Sequence, residues 1–410
     1  MNKALSVNYN GQPVGRLAEA DVRGRTCVFF EYDPAFIATG IELSPFHLPL
    51  GLGLKSRDGS QPTEQLPGLF EDSLPDSWGM SLMLDWFRRN GRQPHQVTPL
   101  MQLSYIGDRG MGALSYRPEN APELAAQLDL ERIYADALLA ESTSNYSNAL
   151  TAVGTSAGGV QPKALIGIAT DPAKPRFWTG AQSLPAGYEA WIVKFTVERA
   201  DHPGGDGRVE FAYSLMARAA GIDLPPAQIL EAGGKAHFAV KRFDRDGARR
   251  IHHHTLSRLL HAVGSDLDYE TLLRVTQKIT RDHREVQRAY RRAVFNVLAC
   301  NEDDHGKNHG FILENGEWRL GPAYDLTYRR LLERGLAVCG ERRKASMPDL
   351  LRLSSRAGIQ KAAAAAIIEE VRAAVCRWAE FAELADVPAS AASEIQDTLN
   401  RQSGSLHTAP

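Results

Sequence analysis

From about residue 256 onward the chain reads as one helical pattern after another, yet between residues 301 and 327 that pattern is broken by its most polar, least periodic stretch. Apolar residues recurring at three and four positions predict helices over 269–278, 285–300 and the alanine-rich 360–385. The break opens with ACNEDDHGKN at 299–308, directly behind the apolar run 293–298. Its charges are therefore anchored beside a core. Upstream the period changes: 164–168, 189–195 and 237–243 read as strands around a single amphipathic helix, 209–220, ended by Gly221 and by Pro225 and Pro226. A β-rich lobe followed by a helical lobe, with the polar break inside the latter, is the arrangement this pattern demands.

Residues 1–118 form a further β-rich unit. Alternation over 4–9, a turn at Asn10-Gly11 and the run 13–17 predict a hairpin, and 27–32 predicts another strand. A helix is expected over 78–86, with Asp76 or Ser77 near its N-cap, and a glycine-rich turn leads into a strand over 107–116. A helix over 122–141 and a polar linker over 142–148 mark the boundary to the second part. The resulting division is 1–118, a helix and linker over 119–148, a β-rich lobe over 149–245, a helical lobe over 246–400 and a loose tail over 401–410. At ~100 to 200 residues per domain, the 410 residues have room for it.

Composition removes several function classes. The 47 Lys and Arg against 49 Asp and Glu leave a net charge of -2, which argues against a nucleic-acid coat. Cys27, Cys300, Cys339 and Cys376 are far apart, which suggests neither a disulfide framework nor a zinc site and implies a reducing, cytoplasmic setting. The N-terminus lacks a signal pattern, and no apolar stretch approaches the ~20 residues that span a bilayer, so no membrane partner is expected.

Phosphoryl transfer needs a carboxylate to orient the attacking hydroxyl, then an amide oxygen and a second carboxylate to hold Mg²⁺ against the phosphates. Asp303 and Asn308 have the spacing of such a loop. A hairpin over 311–320, turning at Asn315-Gly316, then returns the chain to PAYD at 322–325, which sets Asp325 where the second carboxylate is needed. GTSAGGVQPKALI at 154–166 is a small-residue loop that could approach phosphates, or an ordinary flexible loop. It is not a P-loop, because G-K-[ST] is missing. Lys194 lies within an apolar strand, where a charge is costly unless paired; Glu210 at the start of the next helix is the natural partner, and an edge-strand position facing solvent is the alternative.

Other features read as scaffold. His252, His253 and His254 are consecutive and do not converge on one ion, so a turn or exposed edge is expected. His305 is expected to be a hydrogen-bonding residue of its loop, and the arginine-rich 281–292 a solvated helix face.

At these residues the chain resembles the HipA family of bacterial serine/threonine protein kinases, the toxins of HipBA-type modules. SLPDSW at 73–78 and 107–116 are similar to the family's N-terminal subdomain. Residues 156–165, FDR at 243–245, 301–308 and 322–325 are similar to its kinase core. The resemblance implies an α+β, two-lobed protein-kinase-like fold with an additional β-rich N-terminal subdomain. It implies ATP and Mg²⁺ as cofactors and a protein substrate such as an aminoacyl-tRNA synthetase. It also implies a HipB-like helix-turn-helix antitoxin as partner, with DNA reached only through that antitoxin.

Carried over by motif, Asp303 becomes the catalytic aspartate and Asn308 and Asp325 the Mg²⁺ ligands. Gly158, Gly159, Val160, Gln161 and Lys163 would cover the phosphates and Lys194 would contact them. Lys241, Arg242 and Phe243 would form the hinge beside adenine, and His305, Lys307 and Tyr324 would complete the nucleotide site. Ser156, next to Thr155, aligns with the family's autophosphorylated serine, where a phosphate would add ~-1.5 to -2 charge beside those of ATP. The alternatives are a small-molecule kinase of the aminoglycoside type and a pseudokinase acting as a binding partner of the antitoxin.

Overall fold

The computed structural model describes residues 4–59, 63, 65–120, 122, 127–143, 146–154, 161–180, 184–197, 207–262 and 266–407. Asn10 and Gly11 both take positive φ, 48° and 83°, so the first turn has the twist that an antiparallel hairpin requires. It joins β1 (Ala4–Tyr9) to β2 (Gln12–Val22), followed by β3 (Arg25–Tyr32). After a run of helical segments the chain returns as β4 (Leu114–Arg117) beside β1, giving the sheet order β3-β2-β1-β4. Its inward residues, Val7, Val14, Leu17, Val28 and Phe30 among them, are wholly buried in a core of their own.

The second sheet has the order β6-β5-β7-β9-β8, all antiparallel. It contains β5 (Lys163–Ala169), β6 (Phe177–Thr179), β7 (Tyr188–Lys194), β8 (Ala227–Ala232) and β9 (Lys235–Lys241). Three of these strands were legible in the sequence. β6 is too short to alternate visibly. β8 is AQILEA, a string of helix formers whose state is decided by pairing with β9 across Gly233-Gly234, both at positive φ. The expected helix over 122–141 begins only at Leu130, because Gln127 first bridges to Trp178 at the sheet edge.

The helical body differs from the sequence pattern in instructive ways. The expected helix over 360–385 is two, Lys361–Val375 and Trp378–Leu384, and the turn between them lets Trp378 bury fully against Tyr213 at 5.3 Å. The last helix, Ala389–His407, continues through residues expected to be a loose tail. The arginine-rich 281–292 is not one solvated face: Arg281 closes one helix in the left-handed region, and Arg292 is buried and donates to the Gly321 carbonyl. No helix among the described residues is long and apolar enough to cross a membrane.

Short strands β10 (Arg245–Asp246) and β11 (Arg249–Arg250) precede a third sheet, β12 (His252–Thr255), β13 (Gly310–Glu314) and β14 (Glu317–Leu320). The three histidines of β12, expected at a turn or exposed edge, are all buried, because the N-terminal unit covers that strand. His252 Nε2 lies 2.9 Å from the Leu43 carbonyl, and His254 sits between Ser44 Oγ at 3.0 Å and Asp72 Oδ2 at 2.5 Å.

A second seam is built on Asp244, which is fully buried. Arg242 donates to it at 2.9 and 2.8 Å and Arg245 at 2.6 Å, while the Gly112 amide donates at 2.7 Å. Arg242, Arg245 and Arg250 all reach on to the Gly110 carbonyl of the N-terminal unit. Burial pushes the Asp244 carboxyl up, but the guanidinium charges win and hold it well below the ordinary carboxylate range. Replacing one member of such a cluster leaves buried charge uncompensated, so Asp244→Ala should cost ~3–5 kcal/mol in urea unfolding. Wild-type stability in that variant would sink this account of the seam.

Candidate functional site

Lys163 and Lys194 stand directly opposite each other on β5 and β7, so their side chains leave the same face of the sheet. Both are buried. Lys194 Nζ donates to Glu210 Oε1 at 2.5 Å and to Asp325 Oδ1. Glu210 reaches it because its helix, Gly207–Ala219, starts pressed against β9: a Cβ at Gly207 would come within 2.2 Å of the Phe238 amide nitrogen. Asp325 arrives from the end of the β13–β14 hairpin in the left-handed region, φ 58°, a conformation that non-glycine residues adopt sparingly. The alternative of a solvent-facing edge lysine is excluded, since β7 lies between β5 and β9.

The electrostatics follow from these contacts. Burial favours neutral Lys194, but Asp325 and Glu210 outweigh it and hold the ammonium charged. Burial likewise opposes ionised Asp325, and Lys194 and Lys163 overcome it, holding the carboxyl well below its usual range. Burial raises Glu210, with Lys194 pulling the other way. Lys163 is lowered to about 8, chiefly by burial and then by repulsion from Lys194.

The polar break forms a loop locked from beneath. The preceding helix ends at Leu298, Tyr213 Oη donates to the Ala299 carbonyl at 2.7 Å, and Cys300 turns the chain at φ 53°. Asp304 points inward, fully buried, and accepts from Tyr269 Oη at 2.6 Å, the Gly335 amide at 3.0 Å and the Leu336 amide at 3.3 Å, with Arg334 at 3.5 Å. Its neighbour Asp303 faces outward with half its side chain exposed. Asn308 Nδ2 donates to the Asp303 carbonyl at 2.8 Å, closing the loop and leaving its Oδ1 as the acceptor end. Burial raises the Asp303 carboxyl; His305 pulls it back and Asp325 pushes it further.

His305 departs from its expected role. Its Nδ1 has no partner among the described residues, and its Nε2 is 3.9 Å from Asp303 Oδ1, beyond hydrogen-bond length. Lys307 donates to Asp76 Oδ1, at the head of the helix Ser77–Arg89, and Tyr324 Oη donates to the Lys307 carbonyl at 2.6 Å. The Tyr324 ring stacks on Phe243 at 5.9 Å with His253 edge-on to both, so Phe243 joins the same wall.

Other expected residues are engaged differently. Lys241 pairs with Glu189 at 2.7 Å, and the buried Arg242 guanidinium is taken by Asp244 and Gly110, which leaves its side chain no part in a nucleotide hinge. Gln161 Nε2 donates to the Phe195 carbonyl at 2.9 Å, bracing the end of β7. Ser156, Thr155, Gly158, Gly159 and Val160 lie outside the described residues. Asp304 and Asp76 are the residues that sequence reasoning missed. The loop spacing singled out Asp303, and nothing local showed that Asp304 faces inward; Asp76 was read only as a capping residue.

The family model described as HipA N-terminal domain matches residues 5–117, and the one described as HipA-like C-terminal domain matches residues 155–379. The chain belongs to the HipA family. A chain of the Shewanella oneidensis MR-1 toxin–antitoxin complex of HipA, HipB and operator DNA has the same fold. It superposes at TM-score 0.72 with 18% identity, over 97% of this chain and 96% of that one. The putative kinase Y4mE of Sinorhizobium fredii is 29% identical over 164 residues, 36% of this chain and 38% of that protein's length. The Helicobacter pylori proinflammatory kinase CtkA gives TM-score 0.38 at 13% identity, over 53% of this chain and 88% of that one. The two-lobed, kinase-like α+β architecture with a β-rich N-terminal unit is the fold of the HipA family.

The depressed Lys163 has a measurable consequence in this HipA-family chain. Between pH 8 and 10.5 the unfolded chain keeps a proton that folded Lys163 has lost, so this residue makes stability rise with pH there. Lys163→Met should flatten that rise in denaturation curves taken at pH 7.5, 9 and 10, and an unchanged slope would contradict the assignment.

Proposed function

We propose that this chain is an ATP- and Mg²⁺-dependent serine/threonine protein kinase acting as a bacterial toxin. Its substrate class is a translation protein such as an aminoacyl-tRNA synthetase, and phosphorylation of Ser156 limits its own activity. The observation that carries this reading is the convergence of Lys194, Glu210 and Asp325 from three separate elements, beside a loop that presents Asp303 outward.

In this reading Lys163, Lys194 and Lys307 receive the triphosphate; the first two are buried, where fixed positive charge is worth more than in water. Asp303 orients the substrate hydroxyl and accepts its proton, a role helped by burial that raises its carboxyl toward the working pH. The donors left for a metal are the Asn308 Oδ1 and the Asp325 carboxylate oxygen that does not meet Lys194. Two such oxygens suit Mg²⁺, which takes one or two protein oxygens and completes its shell from phosphate and water. When bound, Mg²⁺ neutralises charge on the phosphate oxygens. The Phe243–Tyr324 stack offers an apolar wall near these groups.

A HipB-like helix-turn-helix protein is the proposed partner, supported by the complex in which the Shewanella relative was solved and by the net charge of -2, which leaves DNA contact to that partner. The test is phosphate transfer from labelled ATP to proteins of a bacterial lysate. Asp303→Gln should lower the rate by ~10²–10⁴ with an unchanged melting temperature, the range for removal of a positioned base. Transfer at the wild-type rate would remove Asp303 from the chemistry.

A further inference from the structure

The helix Ser77–Arg89 belongs by sequence to the N-terminal unit, yet the helix and its N-cap residue contact both the β-rich lobe and the helical lobe. Trp78 and Leu82 share a buried core with Ala164, Ile166, Val193 and Phe195, the neighbours of Lys163 and Lys194 on β5 and β7. At Gly154 a Cβ would come within 2.5 Å of Leu82, so the same helix also sets the start of the small-residue loop. At its head, Asp76 reaches in the other direction to Lys307 in the helical lobe, 231 residues away in the chain.

The conformation of Asp76 separates a functional from a purely structural part. It occupies the N-cap position with extended backbone, φ -79° and ψ -167°, where an aspartate ordinarily accepts a hydrogen bond from the first helical turn, worth ~1 kcal/mol. No such side-chain cap bond is made. The carboxylate is turned instead to the Lys307 ammonium, and both side chains remain partly exposed, 25% and 35%. Asp76 is also close enough to favour the charged form of Lys163. The Lys307 backbone is held separately by Tyr324. Asp76 thus governs where the tip of the lysine points, while Tyr324 governs where its root stands.

We propose that Asp76 is a positioning residue of the nucleotide site: it aims Lys307 at the phosphates, so that the site is composite and the N-terminal unit is a working part of it. The proposal rests on the kinase reading above. The alternative, in which Asp76 merely ties the N-terminal unit to the helical lobe, predicts lost stability without a specific link to Lys307 function.

The experiment is a double-mutant cycle on the full chain, reading kcat/KM for ATP in phosphate transfer together with the affinity for a fluorescent ATP analogue. Asp76→Asn should lower kcat/KM by roughly 10- to 100-fold, as expected for a misaimed catalytic-site group. In a Lys307→Met background the same change should have almost no further effect, because the two residues act as one unit. Asp76→Glu should recover most of the activity. Should the Asn variant fail to fold, Asp76→Ser keeps a good N-cap while removing the charge, and the same losses are expected of it. Losses from Asp76 and Lys307 variants that multiply, or a wild-type kcat/KM in Asp76→Asn, would overturn the proposal and leave the kinase reading intact. A wild-type chain that binds ATP without transferring phosphate would overturn the kinase reading, while the affinity cycle still decides the role of Asp76. A chain that binds no ATP would overturn both.

Discussion

Lys194 is a charge inside the middle of a sheet, and such a charge is tolerated only where carboxylates meet it. Glu210 and Asp325 do so from the helix that follows β7 and from a loop that lies more than a hundred residues further on. The need to pair this one ammonium therefore ties the β-rich lobe, its helix and the loop after the β13–β14 hairpin to a common point. Asp325 takes a left-handed backbone to reach it. The pairing holds the lysine charged and the aspartate ionised in a place where burial alone would neutralise both.

Around that point the architecture repeats one solution: an inward acid that organises the groups around it. Asp304 is buried under Tyr269, Gly335 and Leu336, and its immobility lets Asp303 face outward from a rigid loop. Asp244 gathers Arg242 and Arg245 and fastens the N-terminal unit through the Gly110 and Gly112 backbone. Asp72 does the same for β12, accepting from the Thr255 amide and hydroxyl and meeting His254. Buried acids with several donors each are high-stakes contacts, and they explain why the N-terminal unit and the helical body pack as one piece.

Much of the site was legible because its residues obey local spacing. Asp303, Asn308, the Asn315-Gly316 hairpin and Asp325 follow one another in a fixed chain order, and the structure brings Lys194 to Glu210 as the polarity of its strand required. The failures share a cause. His252 to His254 were expected at a turn or exposed edge because consecutive residues do not converge on one ion, and Arg242 was placed in the hinge by the family resemblance. For the histidines a distant segment supplies the partners that make burial possible, and Arg242 is held both by Asp244 two residues on and by the Gly110 carbonyl of the N-terminal unit. β8 was invisible because helix-forming residues were overruled by a neighbouring strand.

Taken alone, the sequence determined the order of a β-rich unit, a β-rich lobe and a helical lobe, and the identity of the acids at the polar break, since periodicity and spacing act over a few residues. Only the tertiary structure decided which of two adjacent aspartates faces the cleft. It also turned Asp76 away from its helix toward Lys307, and settled which arginines and histidines are scaffold. The deciding partners lie as far as 231 positions away in the chain, and no local pattern carries that information.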